Sequence, residues 1–188
     1  GAYYYLGLRS RMLDLTDAQM TREEYVAIVK RIESQFLEGV QTNLRSSLST
    51  NLWSDVRMIL DPRYSRSTRI GDLYQSRLFD KVPLPSSDAA ATSPKWMSEV
   101  PFVPKGADPQ FNPKSHNWTR SAKVPMLVLN ATTLNTGHNW QFTGTWMGEA
   151  ATTIDNRIDS TDYLRRMYYS EAPGKYRNKG VRLGHAGA

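Results

Sequence analysis

The chain has 188 residues, of which 39% are hydrophobic and 22% are charged, and its 24 basic and 18 acidic residues give a net charge of +6. This length suits one sizeable domain, and the composition is that of a folded protein with a polar surface. Because cysteine is absent, a disulfide framework and thiolate metal sites are excluded. No apolar run reaches the ~18 residues that a membrane-spanning helix needs. The basic balance suits an anionic membrane surface, nucleic acid or simply a well-solvated surface.

The first 82 residues are expected to be mainly helical. Residues 2–13 are dense in tyrosine, leucine and methionine, which predicts a mostly buried helix or strand. In residues 21–48 the apolar side chains recur at helical spacing, and Thr21 and Glu24 have the spacing of a capping box at its start. Gly39 predicts a bend in this helix. Two shorter helices are predicted after it, at residues 52–60 and 69–78.

Residues 83–125 are predicted to form a long proline-rich loop. Eight of the ten prolines fall in this range, and proline both fixes φ and removes a backbone donor. Loops of this length in compact domains are usually functional or mobile. Four aromatic residues indicate that the loop packs onto the rest of the chain: Trp96, Phe102, Phe111 and Trp118.

Residues 126–188 are expected to hold strands and a C-terminal helix. The apolar run Met126–Leu129 ends at a cluster of polar turn residues, which predicts a buried strand that ends at a loop. The alternation from Trp140 to Thr145 predicts a second strand, paired with the first across a turn at Gly137. A helix capped by Ser160 or Thr161 is predicted to run to Pro173–Gly174, and residues 181–188 begin a further element.

Motifs for catalysis, metal binding and phosphate binding are absent from the sequence. No segment has the Gly-x-Ser-x-Gly string that exposes a nucleophilic serine on a strained turn, and no glycine-rich phosphate loop occurs. The three histidines, His116, His138 and His185, have no spacing that suggests a site. For His138, which follows the turn, a hydrogen bond to nearby backbone is favoured over catalysis. No catalytic, cofactor-binding or metal-binding residue is therefore predicted, and no cofactor.

Acidic and basic clusters near the C-terminus have simple structural explanations. Asp155, Asp159 and Asp162 are spaced as on one helix face, where their charge complements the helix dipole better than it suits a metal. The stretches 165–169 and 175–179 interleave basic residues with tyrosines, as nucleic-acid-binding surfaces do. Tyrosines at helical spacing are more often core or interface residues, so nucleic acid is not predicted as a partner.

Several stretches, in the same order along the chain, resemble the patatin-like phospholipases of bacteria, which are serine lipid acyl hydrolases. Residues 125–137 match the family pattern Pro-x-Leu-x-x-Asn-Ala-Thr-x-Leu-x-x-Gly. Residues 1–5, Gly-Ala-Tyr-Tyr-Tyr, are similar to the start of the helix that follows the nucleophile elbow. Three further stretches resemble the helical insertion, a Leu-Tyr…Leu-Phe element and a later helix of the family: 36–60, 74–79 and 181–186.

The resemblance implies that residues 1–188 are the central portion of one patatin-like domain, an α/β three-layer fold with a central sheet flanked by helices. It implies a Ser/Asp dyad that cleaves acyl esters of lipids without a metal or cofactor. The serine would precede residue 1, and the aspartate, in an Asp-Gly-Gly or Asp-Gly-Ala motif, would follow residue 188. Within the chain the only adjacent glycine and aspartate, Gly71-Asp72, have the reverse order, and Gly187-Ala188 departs from the Val-Ala-Ala-Ser expected there.

Two interpretations of function therefore stay open. In the first, the chain belongs to a lipid acyl hydrolase, and the loop 83–125 is either an acyl-chain or membrane-facing lid or an ordered structural wrap. In the second, the chain is a non-catalytic basic module that docks on an anionic membrane or a partner protein. The first residues contain only a short apolar stretch with no signal cleavage site, which favours a cytoplasmic or peripheral-membrane location. The oligomeric state is not predicted.

Overall fold

The structure is a computed structural model, and it describes the following residues: 1–41, 56–57, 59–61, 64–86, 92–134, 137–149, 166–174 and 177–188. The helices with defined bounds are α1 (Ala2–Asp14), α2 (Arg22–Gln41), α3 (Arg66–Arg77), α4 (Pro113–His116) and α5 (Leu183–Ala186). The strands are β1 (Leu129–Thr132), β2 (Asn139–Phe142), β3 (Trp146–Glu149) and β4 (Arg166–Tyr168). Helices thus combine with one four-stranded antiparallel sheet, which makes this a mixed α/β protein.

Helix α1 is the element shared by both hydrophobic clusters of the core, and it confirms the predicted buried element at residues 2–13. One cluster contains Tyr5 and Leu6 of α1, and the other contains Leu8 and Met12. Because α1 buries side chains around most of its circumference, it shows little of the one-sided pattern of a surface helix. Tyr5 also donates a hydrogen bond from its hydroxyl to the carbonyl of Val100, at 3.2 Å, which ties α1 to the proline-rich segment.

Helix α2 packs against α1 and confirms most of the predicted helix, whose residues 42–48 lie outside the described chain. Gly39 does not end α2, which continues to Gln41. The predicted capping role of Glu24 is wrong. Its carboxylate instead accepts hydrogen bonds from Arg11 of α1, at 2.7 and 3.1 Å. At the start of α2, the Glu23 carboxylate accepts hydrogen bonds from its own backbone N–H and from the side chain of Thr21, and these bonds lower the pKa of its carboxyl group.

Helices α3 and α5 cross at close range. Helix α3 confirms the helix predicted at 69–78, and α5 is the further element expected after residue 181. The crossing brings Gly71 and Gly184 together: a β-carbon on Gly184 would overlap with the carbonyl oxygen of Gly71. Of the helix predicted at 52–60, the residues that the structure describes are helical and exposed: Val56, Arg57, Ile59 and Leu60.

The sheet is an antiparallel meander in the order β1-β2-β3-β4. The predicted pairing across the turn at Gly137 is confirmed, with Leu129 opposite Phe142 and Thr132 opposite Asn139. The predicted buried strand at 126–129 is wrong in position and burial, because β1 begins at Leu129 and its other residues are exposed. As an edge strand of an antiparallel sheet, β1 needs apolar side chains on one face alone.

The C-terminal strand β4 corrects the helix predicted between residues 160 and 172. Arg166, Met167 and Tyr168 are extended and pair with β3, with Met167 opposite Met147. The guanidinium of Arg166 also lies 4.4 Å from the ring centre of Trp146. These cross-strand contacts outweigh the helical spacing of the local sequence. The predicted cap residues, and residues 150–165 as a whole, lie outside the described chain.

The segment 92–125 has little regular structure, as its prolines predict, yet it supplies core residues. Met97 is completely buried and Val100 is 2% exposed, both in the larger hydrophobic cluster. Phe102 and Phe111 are partly buried against the core, whereas Trp118 is 79% exposed, so the expectation that it packs inward is wrong. The burial of Met97 and Val100 is what the ordered-wrap interpretation of this segment expects. None of the helices that the structure describes is long and apolar enough to cross a membrane.

Candidate functional sites

Two of the three histidines are paired with a carboxylate in the structure. His138 Nδ1 lies 3.1 Å from Glu149 Oε1, and His185 Nε2 lies 3.3 Å from Asp72 Oδ1. His116 instead accepts a hydrogen bond through Nδ1 from the backbone N–H of Asn112. The pairs join positions 11 and 113 residues apart in the sequence. Histidine spacing alone therefore did not reveal them.

The Asp72 pair belongs to a polar cluster at the crossing of α3 and α5. Arg182 donates a hydrogen bond to the same Asp72 oxygen at 2.9 Å, and all three side chains are partly buried. No serine or threonine hydroxyl in the described chain hydrogen-bonds to His185, so the cluster has the base and carboxylate of a hydrolytic triad without its nucleophile. Its evident role is to fasten α5 to α3.

Gln75 completes this junction from the buried side. It is 5% exposed, and its amide donates to Asp80 Oδ1 at 2.8 Å and to the carbonyl of Pro94 at 3.2 Å. Its side-chain oxygen accepts from the backbone N–H of Gly184 at 3.2 Å. One buried side chain thus ties α3, α5 and the start of the proline-rich segment together, which the sequence did not predict because the Pro94 and Gly184 partners are backbone groups distant in sequence.

The His138 pair lies at the turn end of the β1–β2 hairpin. The backbone N–H of His138 donates to Thr133 Oγ1 at 3.1 Å, and its carbonyl accepts from the backbone N–H of Thr133 at 3.0 Å. The sequence favoured a bond from this turn histidine to nearby backbone; in the structure the backbone of His138 bonds to Thr133, whereas its imidazole pairs with the carboxylate of Glu149. The imidazole is 60% exposed while Glu149 is 15% exposed, so solvent screens the interaction between the two side chains.

A cleft of about 200 Å³ runs between α1 and α2. Its apolar wall includes Ile28, Ile32 and Val82, and its polar groups include Ser10 and Arg31. Ser10 is buried, and its hydroxyl makes no hydrogen bond to any residue that the structure describes. This cleft is large enough for a small ligand, and no sequence motif marks it.

Among the remaining sequence candidates, those that the structure describes form no site. Asp155, Asp159 and Asp162 lie outside the described residues. Tyr169 is buried, its hydroxyl donates to the carbonyl of Thr143 at 2.9 Å, and burial raises its pKa, as suits a core tyrosine. Within the described ranges no three histidine or acidic side chains come together as a metal site would require.

Comparison with known proteins adds no further assignment, since no protein-family model, no curated protein and no solved structure matches the chain. Fold and sites define the class directly: a mixed α/β protein with an antiparallel sheet, a buried helix shared by two core clusters and a ligand-sized cleft beside that helix.

Proposed function

We propose that the chain is a segment of a patatin-like lipid acyl hydrolase, which cleaves acyl esters of lipids through a serine and an aspartate that lie outside these residues. The observation that carries the proposal is the agreement, in the same order along the chain, of residues 1–5, 74–79, 125–137 and 181–186 with the patterns of that family. Proteins of that family have a central sheet between layers of helices. In the proposal, the antiparallel sheet and the helices of this chain are a part of that fold.

The position of α1 supports this proposal. In hydrolases with a nucleophile elbow, the serine stands on a sharp turn that leads directly into a helix, and that helix must be held rigidly to keep the hydroxyl in place. Helix α1 begins at Ala2, the position where the resemblance puts such a helix, and its side chains enter both core clusters. A helix so enclosed is a stable support for a reactive group at its start.

Labelling with a fluorophosphonate probe, read by intact mass, tests the proposal. We expect an adduct on a version of the chain extended at both ends and none on residues 1–188. Ser10 is the buried serine to control for, so Ser10→Ala is labelled in parallel. An adduct on residues 1–188 that disappears in Ser10→Ala would place the nucleophile within this chain and contradict the proposal. Absence of any adduct on the extended protein would contradict a serine hydrolase altogether.

A second candidate function, a non-catalytic basic module that docks on an anionic membrane, is favoured by one surface. The forty residues from Pro109 to Gly148 contain no acidic side chain, and the exposed Lys114 and Lys123 lie among them, whereas Arg120 forms an ion pair with Asp17. Trp118, in the same stretch, is 79% exposed, and Lys123 donates to its carbonyl at 2.8 Å. An exposed tryptophan beside lysines is the combination that peripheral proteins insert at a lipid headgroup region.

Co-sedimentation with vesicles separates the two candidates. Docking by this module requires binding to vesicles with anionic lipid, less binding to zwitterionic vesicles, and a decline as salt shortens the Debye length. Binding that is unaffected by salt and lipid charge would exclude electrostatic docking, whatever the outcome of the labelling experiment.

A further inference from the structure

The floor of the cleft between α1 and α2 is open because of a glycine. A β-carbon on Gly7 would stand 3.5 Å from both Ile28 Cγ2 and Ile32 Cδ1, at ordinary van der Waals contact. A side chain at this position would therefore lie against the apolar wall of the cleft without a clash. Gly7 lies in the interior of α1, where glycine is less favourable than alanine. Glycine at position 7 thus makes α1 less stable than alanine would, and it leaves free space between α1 and α2.

The polar groups of the cleft are mostly donors. Ser10 is 6% exposed, and its hydroxyl has no hydrogen-bond partner in the part of the chain that the structure describes. Because Ser10 lines the cleft, this hydroxyl is available to bond to a ligand there. The side-chain oxygen of Gln35 accepts from the hydroxyl of Tyr3 at 3.0 Å, which leaves the Gln35 amide nitrogen to donate.

The charges of the cleft leave one cation without a partner. Arg11 is neutralised by Glu24, with which it forms two hydrogen bonds. Arg31, on the same wall, makes no ion pair with any described residue. Glu38 stands at the other end, near Tyr3, where burial and then the charge of Glu38 raise the pKa of the tyrosine hydroxyl. An anionic group is therefore best placed beside Arg31, which lines the cleft together with Ser10, rather than near Glu38.

The size of the cleft limits the ligand. Its volume of about 200 Å³ is below the ~300 Å³ at which pockets for drug-sized molecules begin. A dry apolar cavity of about 150 Å³ is large enough for benzene. The cleft therefore has room for an apolar body of about six carbons with a small polar head.

The geometry points to a binding site for a short monocarboxylate in this cleft, with the carboxylate at Arg31 and Ser10 and the alkyl chain against Ile28, Ile32 and Val82. The guanidinium and the hydroxyl supply a charge-assisted and a neutral hydrogen bond to the carboxylate oxygens. The inference does not rest on lipid hydrolysis: a carboxylate binds in this cleft whether or not the protein cleaves esters.

Ligand-observed NMR titration of residues 1–188 with hexanoate, 1-hexanol and hexylamine tests the site. All three have the same alkyl chain, so the comparison isolates the head group. We expect hexanoate to bind at least fivefold more tightly than 1-hexanol and hexylamine to bind most weakly. Equal binding of hexanoate and 1-hexanol would overturn the carboxylate assignment, since the apolar wall alone would then account for the affinity.

Three variants and one control locate the bound molecule. Arg31→Ala is expected to weaken hexanoate about fivefold without changing 1-hexanol, whereas Lys30→Ala, which removes the same charge one residue away and outside the cleft, leaves both unchanged. Ser10→Ala weakens hexanoate about threefold. Gly7→Ala fills the floor and weakens hexanoate and 1-hexanol alike, while the protein melts at a higher temperature. Equal effects of Arg31→Ala and Lys30→Ala, or undiminished binding in Gly7→Ala, would place the carboxylate elsewhere.

Discussion

Gly184 lies against Gly71 so closely that a β-carbon on Gly184 would overlap with the carbonyl oxygen of Gly71. A β-carbon on Gly71 would in turn overlap with the imidazole of His185 and stand 2.9 Å from its Cα atom. The two glycines thus set the distance between α3 and α5, and the Asp72 cluster and Gln75 form their bonds only at that distance.

Substitution of either glycine by alanine is expected to lower the free energy of unfolding by about 1–3 kcal/mol, since the added methyl group forces backbone apart in a packed junction. Gly7→Ala is the matched control, because its methyl group meets only ordinary contacts and should raise stability by about 0.5–1 kcal/mol. Urea denaturation of the three variants measures both the expected loss and the expected gain in the free energy of unfolding. A Gly184→Ala protein as stable as the parent would show that the two helices do not pack this closely.

Gln75→Ala is expected to lower the free energy of unfolding by about 2–4 kcal/mol. The change creates a cavity and leaves the buried Pro94 carbonyl and Gly184 N–H without their partner. Gln75→Met restores most of the volume but none of the bonds, so it separates the two contributions. Gln110→Ala, at an exposed position, should be neutral. If Gln75→Met proves as stable as the parent, the hydrogen bonds of this amide contribute nothing to the junction.

Burial raises the pKa of Tyr5 to about 12, against the opposing charge of Arg9. A tyrosine whose pKa is higher in the folded state holds its proton there after the unfolded chain has lost it. Its contribution is therefore complete below pH ~10 and lost as the pH rises to about 12, a change of about 2–3 kcal/mol. Tyr5→Phe should be less stable at pH 7 by about 1–2 kcal/mol, because the Val100 carbonyl loses its donor.

The measurement for Tyr5 is the free energy of unfolding from pH 7 to pH 11.5 in both proteins. The parent should lose stability more steeply than Tyr5→Phe over the alkaline half of this range. Tyr169, whose pKa burial also raises, causes part of the remaining loss in the variant. Parallel curves for parent and variant would mean that the Tyr5 hydroxyl is accessible to solvent.

Met97→Ala tests whether the proline-rich segment is a structural wrap. Met97 is completely buried, so its truncation should lower the free energy of unfolding by about 2–5 kcal/mol. Met126→Ala is the control, since the same atoms are removed from a side chain that is 55% exposed. Thermal melts of the two variants give the comparison. Equal melting temperatures would favour a segment that swings free of the core, as a lid does.

Trp118→Ala is expected to leave the free energy of unfolding within about 0.5 kcal/mol of the parent, because the indole is mostly in solvent. If the acid-free stretch docks on membranes, the same change reduces co-sedimentation with anionic vesicles severalfold. Leu60→Ala removes an apolar group that is equally exposed but adjacent to Asp61, and should not affect binding. Equal vesicle binding by the two variants would remove Trp118 from the docking surface.

Local sequence patterns were sufficient to predict those elements that are stabilised by their own sequence. Helix α3 was predicted within a few residues, because its apolar side chains recur at the spacing of a helix, whereas the apolar density of residues 2–13 predicted a buried element there without deciding between helix and strand. The β1–β2 pairing followed from its turn, and the irregular course of 92–125 followed from proline. Each of these signals acts over a few residues and needs no partner from elsewhere in the chain.

Tertiary contacts decided the rest. Residues 166–168 carry a helical pattern but form β4, because the exposed edge of β3 offers them hydrogen bonds and the aromatic face of Trp146. Glu24 has the spacing of a capping residue but binds Arg11, because the packing of α2 on α1 brings a guanidinium within 2.7 Å. In both cases a partner distant in sequence was stronger than the local preference, which amounts to a few tenths of a kcal/mol per residue.

By itself, the sequence determined helices α2 and α3, the hairpin turn, the irregular course of residues 92–125 and the absence from these residues of a nucleophile elbow, because these depend on residue type and spacing. Only the tertiary structure decided the order of the sheet, the glycine contact between α3 and α5, the Asp72–His185 pair and the cleft beside Ser10. Those features join groups as many as 113 residues apart, and the free energy that brings them together comes from burial of the whole core rather than from any local pattern.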